Sequence, residues 1–452
     1  MPVQPVLLWS DALLFVLIAA IVGLVLWARR QDALRAAWGR VLKDDMAMAA
    51  ATVLAAFVVI GLLDSLHYRP RLESAPGAQA DATARYAVEV HSALDALLSD
   101  LRQRSEKTYS APLATHLYSK EALADSTQRE FPRLKHGGAH LGQDLANHEF
   151  DIAVRVSRGC AGGAVVWLLL VALWCRMRRQ DFMSVVKVGA GDTVNGAATG
   201  AVFITLLAIL LLLGIAISLG GGYHVFGTDK VGQDVLYLSL KSIRTGLLIG
   251  TLTTLVMLPL AVLLGILAGY VGGWVDDVIQ YLYTTLSSIP GVLLIAAAVL
   301  MMQVVIDTHP EWFATSAERA DARLLALCLI LGMTSWTGVA RLLRGETLKL
   351  RELEFVQAAQ AFGVGRFAIM RRHILPNLMH IVLIALVMDF SGLVLAEAVL
   401  SYVGVGVDPA MISFGTMINA ARLEMARDPM VWWSLAAAFS FMFALVLAAN
   451  LF

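Results

Sequence analysis

Nine mostly apolar stretches, at 7–28, 46–63, 159–175, 198–219, 246–271, 278–306, 323–340, 377–399 and 431–451, dominate this 452-residue chain. A helix needs about 20 apolar residues to cross a bilayer. A backbone inside lipid must also satisfy its own hydrogen bonds, so stretches of this length leave a bundle of membrane helices as the fold. Composition agrees, with 58% hydrophobic residues and the charges gathered in a few windows between stretches. Mean hydropathy is +0.70. The expected fold is all-α and polytopic, with about nine transmembrane helices.

Orientation follows from Lys and Arg in the short loops rather than from net charge, which is zero. The first loop carries Arg29, Arg30, Arg35, Arg40 and Lys43; the loop after the third span carries Arg176, Arg178, Arg179 and Lys187. Both are expected in the cytoplasm. The loop at 341–376 adds Arg341, Arg344, Lys349, Arg351, Arg366, Arg371 and Arg372, and falls on the same side if nine spans are counted. Residues 272–280 form a cytoplasmic loop without a positive charge. The N-terminus, with no Lys or Arg before Arg29, is expected outside, and the first span reads as a reverse signal-anchor. Cys160, Cys175 and Cys328 lie in or beside apolar stretches and read as free thiols.

The segment Arg351 to Asn377, RELEFVQAAQAFGVGRFAIMRRHILPN, is basic and amphipathic and lies between two apolar runs. Such a charged helix-turn suits docking of a soluble partner. Phe355, Val356 and Phe362 supply apolar anchors, with Glu354 and Gln357 beside them. Ala358 and Ala359 permit close approach. Gly363 ends a short helix with a left-handed backbone, and Leu375-Pro376 restarts the chain as a membrane helix.

The spacing resembles the EAA loop of ABC-importer permeases, most closely the dipeptide/oligopeptide/nickel subfamily. Gln357 stands where the motif has Glu, and His373 where Ile is usual. Two further segments are similar to that family. HVFGTDKVGQDVLYLSLKSIRTGLLIG at 224–250 matches its external GTD-x-x-G-R-D segment through Gly227, Thr228, Asp229, Gly232 and Asp234, with Gln233 in place of Arg. LAEAVLSYVGVGVDPAMISFGTMINAARL at 395–423 is similar to its last external loop. An ordinary basic loop would explain the Arg and Lys, but not the Ala-Ala, Gly and Leu-Pro spacing.

The resemblance covers residues 198–452, a six-helix permease core with the coupling loop at 351–376. Residues 1–63 carry extra N-terminal helices. Residues 64–159 form an inserted domain, periplasmic by the alternating topology. Residues 160–197 carry a third extra helix and a basic cytoplasmic linker. The insert's best helix is expected at 82–104, where Val90, Leu94, Leu97, Leu98 and Leu101 recur at helical spacing. An alanine-rich linker, 75–84, precedes most of it. The sequence stops at Phe452, directly after a span, where family members usually continue with a short polar tail.

Other positions carry possible chemistry. Asp389 and Glu397 lie eight residues apart in the eighth span, about 80° around a helix, and read either as a polar patch at a translocation path or as structural pairs. Pro290, in SSIPGVLL, interrupts the sixth span and reads either as a break that lines the translocation path or hinges its gate, or as a packing kink alone. His136, His140, His148 and Asp151 match no metal signature and read as solvated loop residues.

The resemblance implies one half of the translocation pathway of a binding-protein-dependent importer of peptides or similar solutes. Its partners would be a second homologous permease, two ABC ATPase subunits, a periplasmic solute-binding protein and the lipid of the bacterial inner membrane; no nucleic acid is implied. No P-loop motif GxxxxGK[ST] occurs, so no cofactor is expected on this chain, with ATP and Mg on the ATPase partners. The alternatives are a proton-coupled secondary transporter using Asp389 and an intramembrane hydrolase. Neither needs the EAA-like loop, and the hydrolase lacks a G-x-S-x-G or H-E-x-x-H motif.

Overall fold

The computed structural model describes residues 3–28, 38–71, 86–122, 129–142, 145–178, 198–313 and 315–452. Arg29, Arg30, Arg35, Arg179, Lys187 and the linker 75–84 lie outside the described residues. In chain order the helices are α1 (Trp9–Ala28), α2 (Asp45–Ser65), α3 (Ala93–Leu97), α4 (Ser99–Gln103), α5 (His148–Arg178), α6 (Thr199–Gly220), α7 (Val235–Val271) and α8 (Gly273–Ser288). They continue as α9 (Gly291–Thr308), α10 (Ser316–Arg351), α11 (Glu354–Ala361), α12 (Arg366–Ile369), α13 (Leu375–Val403), α14 (Phe414–Glu424) and α15 (Trp433–Leu451). Five short strands accompany them: β1 (Val3–Val6), β2 (His67–Pro70), β3 (His91–Ser92), β4 (Glu121–Ala122) and β5 (Arg129–Glu130). Among the described residues, eight helices are long and apolar enough to cross a membrane; the first expected span, α1, contributes the shorter apolar stretch Trp9–Gly23.

The chain forms two compact units. The first comprises Met1–Leu7, Phe15–Thr245 and Ile412–Phe452. In it β1 runs antiparallel to β2, with Val3 opposite Pro70 and Val6 opposite His67, and β2 pairs in turn with β3. The residues just before α1 and just after α2 are thereby held side by side. Helices α5 and α6 pack closely through Gly159 and Gly163, a G-x-x-x-G spacing, against Gly214 and Leu210. A Cβ added at Gly163 would sit 2.5 Å from the Leu210 carbonyl oxygen, so only glycine allows the two backbones this near. Trp167 donates its ring N–H to Phe203 O at 2.9 Å, and Ser218 Oγ donates to Arg155 O at 2.8 Å.

Polar pairing lengthens α5 beyond the expected span at 159. Arg155 Nε donates to Asp151 Oδ2 at 2.8 Å one helical turn earlier, and Asp151 also meets His140 at 2.7 Å and the Tyr223 hydroxyl at 2.9 Å. His148 reaches the Leu113 carbonyl at 2.9 Å. His140, His148 and Asp151 are therefore engaged rather than loosely solvated, which corrects the sequence reading. The helix expected at 82–104 is also corrected. Ser92 and Asp95 form a reciprocal cap that starts α3 at Ala93, and Leu98 (φ −99°, ψ 21°) breaks the run before α4.

The second unit comprises Leu8–Leu14 and Gly246–Met411. The first turn of α1 is fixed by Asp321, whose carboxylate accepts from Ser10 N at 3.1 Å and from the Ser10 hydroxyl. A carboxylate at a helix N-terminus satisfies open N–H groups and opposes the helix dipole. The span expected at 278–306 is instead two helices. Pro290 lacks an N–H and forces Ile289 into extended backbone (φ −89°, ψ 133°), ending α8 at Ser288 before α9 begins. Residues 272–280, expected as a loop, begin α8, where Asp276 accepts two 2.6 Å hydrogen bonds from Arg344 on α10.

Candidate functional site

Around the EAA-like segment, α10 ends at Arg351 and the chain turns through Glu352 into α11, Glu354–Ala361. Val356 and Ala359 lie on one face of this two-turn helix and are buried in an apolar cluster that includes Leu343, Ile369, Ile374 and Leu378. Glu354, Phe355, Gln357 and Ala358 are exposed. Phe362, just past the helix, is 87% exposed. Val356, expected as an anchor for a partner, is thus used internally, and of the two adjacent alanines Ala358 alone faces outward. The Gln357 side chain donates to Glu352 O at 3.2 Å, closing the entry turn.

Gly363 has φ +74°, and Val364 N donates back to Ala359 O at 3.0 Å, a turn that ends α11. The helix then restarts at Arg366, earlier than Pro376. Residues Met370–Ile374 form a π turn continuous with α12 and α13. Pro376 cannot donate to a carbonyl one turn back, and the wider π turn precedes it, so the helix runs on through Leu375-Pro376. Exposed Arg366, Arg371 and Arg372 give this outer surface positive charge beside the exposed rings of Phe355, Phe362 and Phe367.

Asp389 and Glu397 lie on α13 but are not brought together. Glu397 is 2% exposed and accepts from Ser401 Oγ at 2.6 Å. Among the described residues, the buried Oδ2 of Asp389 has no hydrogen-bond partner. Pro290 is exposed at the α8–α9 break.

The segment His224–Asp234, expected to be external, belongs to the first unit. Asp229 Oδ1 accepts from Val231 N at 2.9 Å and Gln233 N at 2.8 Å, while Asp234 caps α7 by accepting from Leu236 N at 2.9 Å. Gln233, where the resembling family has Arg, is exposed. Gly227 and Gly232 have φ of +70° and +78°; a Cβ at Gly232 would lie 1.9 Å from the Glu106 carbonyl oxygen. Thr228 N donates to Ser110 O at 3.1 Å, and the Thr228 hydroxyl accepts from Ser110 N at 2.7 Å.

Sequence reasoning missed two residues here. His224 places Nδ1 2.8 Å from Asp234 and Nε2 3.4 Å from Glu106. Glu106 also accepts from the backbone N–H groups of Lys135, His136 and Gly137 at 2.8, 2.7 and 3.2 Å. Burial alone would neutralise both side chains. For His224 the hydrogen bonds to Asp234 and Glu106 outweigh it, and the imidazolium is held up to about 9. For Glu106 burial is outweighed by the hydrogen bond from His224 and those from the backbone, and the carboxyl falls to about 2. His224 heads the recognisable HVFGTD run, but nothing around Glu106 in the sequence marks it.

Residues 261–452 match the family described as binding-protein-dependent transport system inner membrane component. The oligopeptide transport system permease protein OppC of Haemophilus influenzae is 30% identical over 208 residues, 46% of this chain and 61% of that protein. OppC of Mycobacterium tuberculosis is 30% identical over 212 residues, covering 47% of this chain and 67% of its own length. The dipeptide transport system permease protein DppC of Bacillus subtilis is 28% identical over 212 residues, 47% of this chain and 60% of that protein. The chain thus spans about three-fifths to two-thirds of the length of these curated relatives.

Proposed function

Because this chain belongs to the family of binding-protein-dependent transport system inner membrane components, we propose that it is the permease subunit of a peptide importer, forming half of a translocation pathway. Family membership and its apolar helices make it a multi-pass inner-membrane protein. Its relatives are named as permease proteins for oligopeptides and dipeptides, which supports peptides as the solute class. Hydrolysis of ATP with Mg falls to separate ATPase subunits, and delivery of solute to a periplasmic binding protein.

The observation that carries this reading is the division of α11 into two faces. Val356 and Ala359 root it in the unit's core, while Phe355, Ala358 and Phe362 remain available on the outside. A short helix rooted on one face and apolar on the other fits a groove in a partner. Push on such a helix is transmitted to the membrane helices that share its core, and only a difference in contact energy between inward- and outward-open states does work. Asp389, with a carboxylate oxygen unpartnered among the described residues, supports a place beside the path; Glu397, bonded to Ser401, is better read as a structural group.

Gentle detergent extraction of the chain is expected to bring down an ATPase and a second permease. Gly363→Arg, which adds bulk and charge where φ is +74°, is expected to detach the ATPase or uncouple hydrolysis from uptake. Normal assembly and uptake in that variant would remove the coupling role. Stimulation of the assembled ATPase by the binding protein, measured across a panel of peptides and other solutes, tests the substrate class.

A further inference from the structure

The inserted residues are not packed as a separate module. Glu106 N donates to Gly232 O at 2.9 Å, Leu113 N to His224 O at 2.9 Å and Gly138 N to Gly222 O at 2.8 Å. These backbone bonds run along the external segment from end to end, and the Glu106–His224–Asp234 charge network is buried beneath them. The turn after α14 is gripped as well. Tyr118 donates to Met430 O at 3.2 Å, its ring meets Trp433 edge to face at 4.8 Å, and Trp433 Nε1 donates to Thr228 O at 3.0 Å.

A second anchor is independent of the first. Lys241, on α7, lies 3.1 Å from Asp64 on α2 and 2.8 Å from Asp95 of the insert, which also accepts from the Tyr237 hydroxyl at 2.7 Å. Separating the insert from α7 would leave buried charges unpaired, a cost of the kind that holds surfaces together. Surface contacts alone would not have this character.

We propose that residues 86–122, 129–142 and 145–147 are a fixed wall of the external mouth, holding the segment His224–Asp234 and the turn Glu424–Trp433 in one arrangement throughout transport, with Glu106 as the positioning residue. The insert is then a working part of the permease and not a detachable lid. This role rests on the transport reading above, because only a transporting chain has a cycle through which an arrangement can persist. The positioning residue acts through His224 and through the backbone of residues 135–137, without touching solute.

Two measurements test it. Hydrogen exchange on the full-length chain in detergent, with Glu106→Gln against the surface control Lys107→Gln, reads the positioning directly. The expected result is about tenfold faster exchange in 224–234 for Glu106→Gln alone, with 352–365 unchanged; unaltered exchange in 224–234 would overturn the proposal. The second measurement uses Ser110→Cys with Thr228→Cys, positions whose hydroxyl oxygens lie 3.1 Å apart, in a background lacking Cys160, Cys175 and Cys328. Uptake of a labelled tripeptide is expected to be the same with the disulfide formed or reduced. Arrest on oxidation, reversed by reductant, would show that the wall parts during transport. If the unsubstituted chain takes up no tripeptide, it is the substrate reading that fails, and the exchange measurement still decides the positioning role.

Discussion

Glu106 and His224 stand 118 residues apart in the chain, yet their side chains approach to 3.4 Å in the buried layer where the insert meets the external segment. A charged imidazole between two carboxylates makes that layer sensitive to pH in a defined direction. His224 is raised to about 9 from 6.5, so its contribution is full below pH 6.5 and lost as pH rises through about 9. Glu106 is lowered to about 2 from 4.5, so its contribution is full above pH 4.5 and lost as pH falls through about 2. Hydrogen-exchange protection of residues 224–234 is expected to be greatest between pH 4.5 and 6.5 after correction for intrinsic exchange rates. It should decline toward pH 9. In His224→Gln the decline above pH 6.5 should vanish, and its persistence would assign the effect to another group.

The two faces of α11 are expected to respond differently. Val356→Ala removes two buried methyl groups and should cost about 2 kcal/mol of stability, read as a lowered thermal midpoint. Phe362→Ala removes a ring that is 87% exposed. It should leave the midpoint unchanged while reducing the ATPase that copurifies. Equal loss of stability in both variants would contradict the division into a rooted face and a free one.

Accessibility labelling in intact cells checks the side on which each part lies. In the background without native cysteines, Val88→Cys, at a position 78% exposed, is expected to react with an impermeant thiol reagent. Lys43→Cys is expected to react only after the membrane is opened. The reverse labelling pattern would invert the orientation.

The α5–α6 pair depends on close backbone approach. A Cβ at Gly214 would sit 2.3 Å from the Gly159 carbonyl oxygen. Gly214→Val is therefore expected to splay the pair and lower the yield of folded protein in detergent, whereas Gly162→Ala, where a Cβ meets nothing within 4 Å, should be neutral. Circular dichroism and size-exclusion profiles distinguish the two outcomes.

Much of this architecture was legible because membrane burial writes itself into long apolar runs, and α2, α6, α9, α13 and α15 each contain or overlap an expected span. Their polar extensions were not legible. The first turns of α5 are held by Asp151 with Arg155, His140 and Tyr223, partners that hydropathy does not register. The prolines differ. Of the two readings of Pro290, break and kink, the structure has the break, whereas Pro376, expected to restart a helix, sits within one because the preceding π turn accommodates it. At the candidate sites, spacing pointed to the turn at Gly363 and to the external segment. Which face of α11 turns inward depends on the core that α10 and α13 supply, and Glu106 becomes visible only when the chain returns to it from a distance.

The interlock at Gly232 has a consequence for anyone who would treat the insert as a cassette. Residues 86–147 transplanted into another permease would bring the Glu106 carbonyl to a loop whose corresponding residue, if it carried a side chain, would occupy the same space. A graft would have to carry 222–234 and the Trp433 turn along with it. Conversely, a chimera that deletes the insert leaves the His224–Asp234 pair without Glu106, and Lys241 with Asp64 but without Asp95. The unit of exchange is a set of three discontinuous segments, and recombination at the apparent edges of the insertion would cut through it.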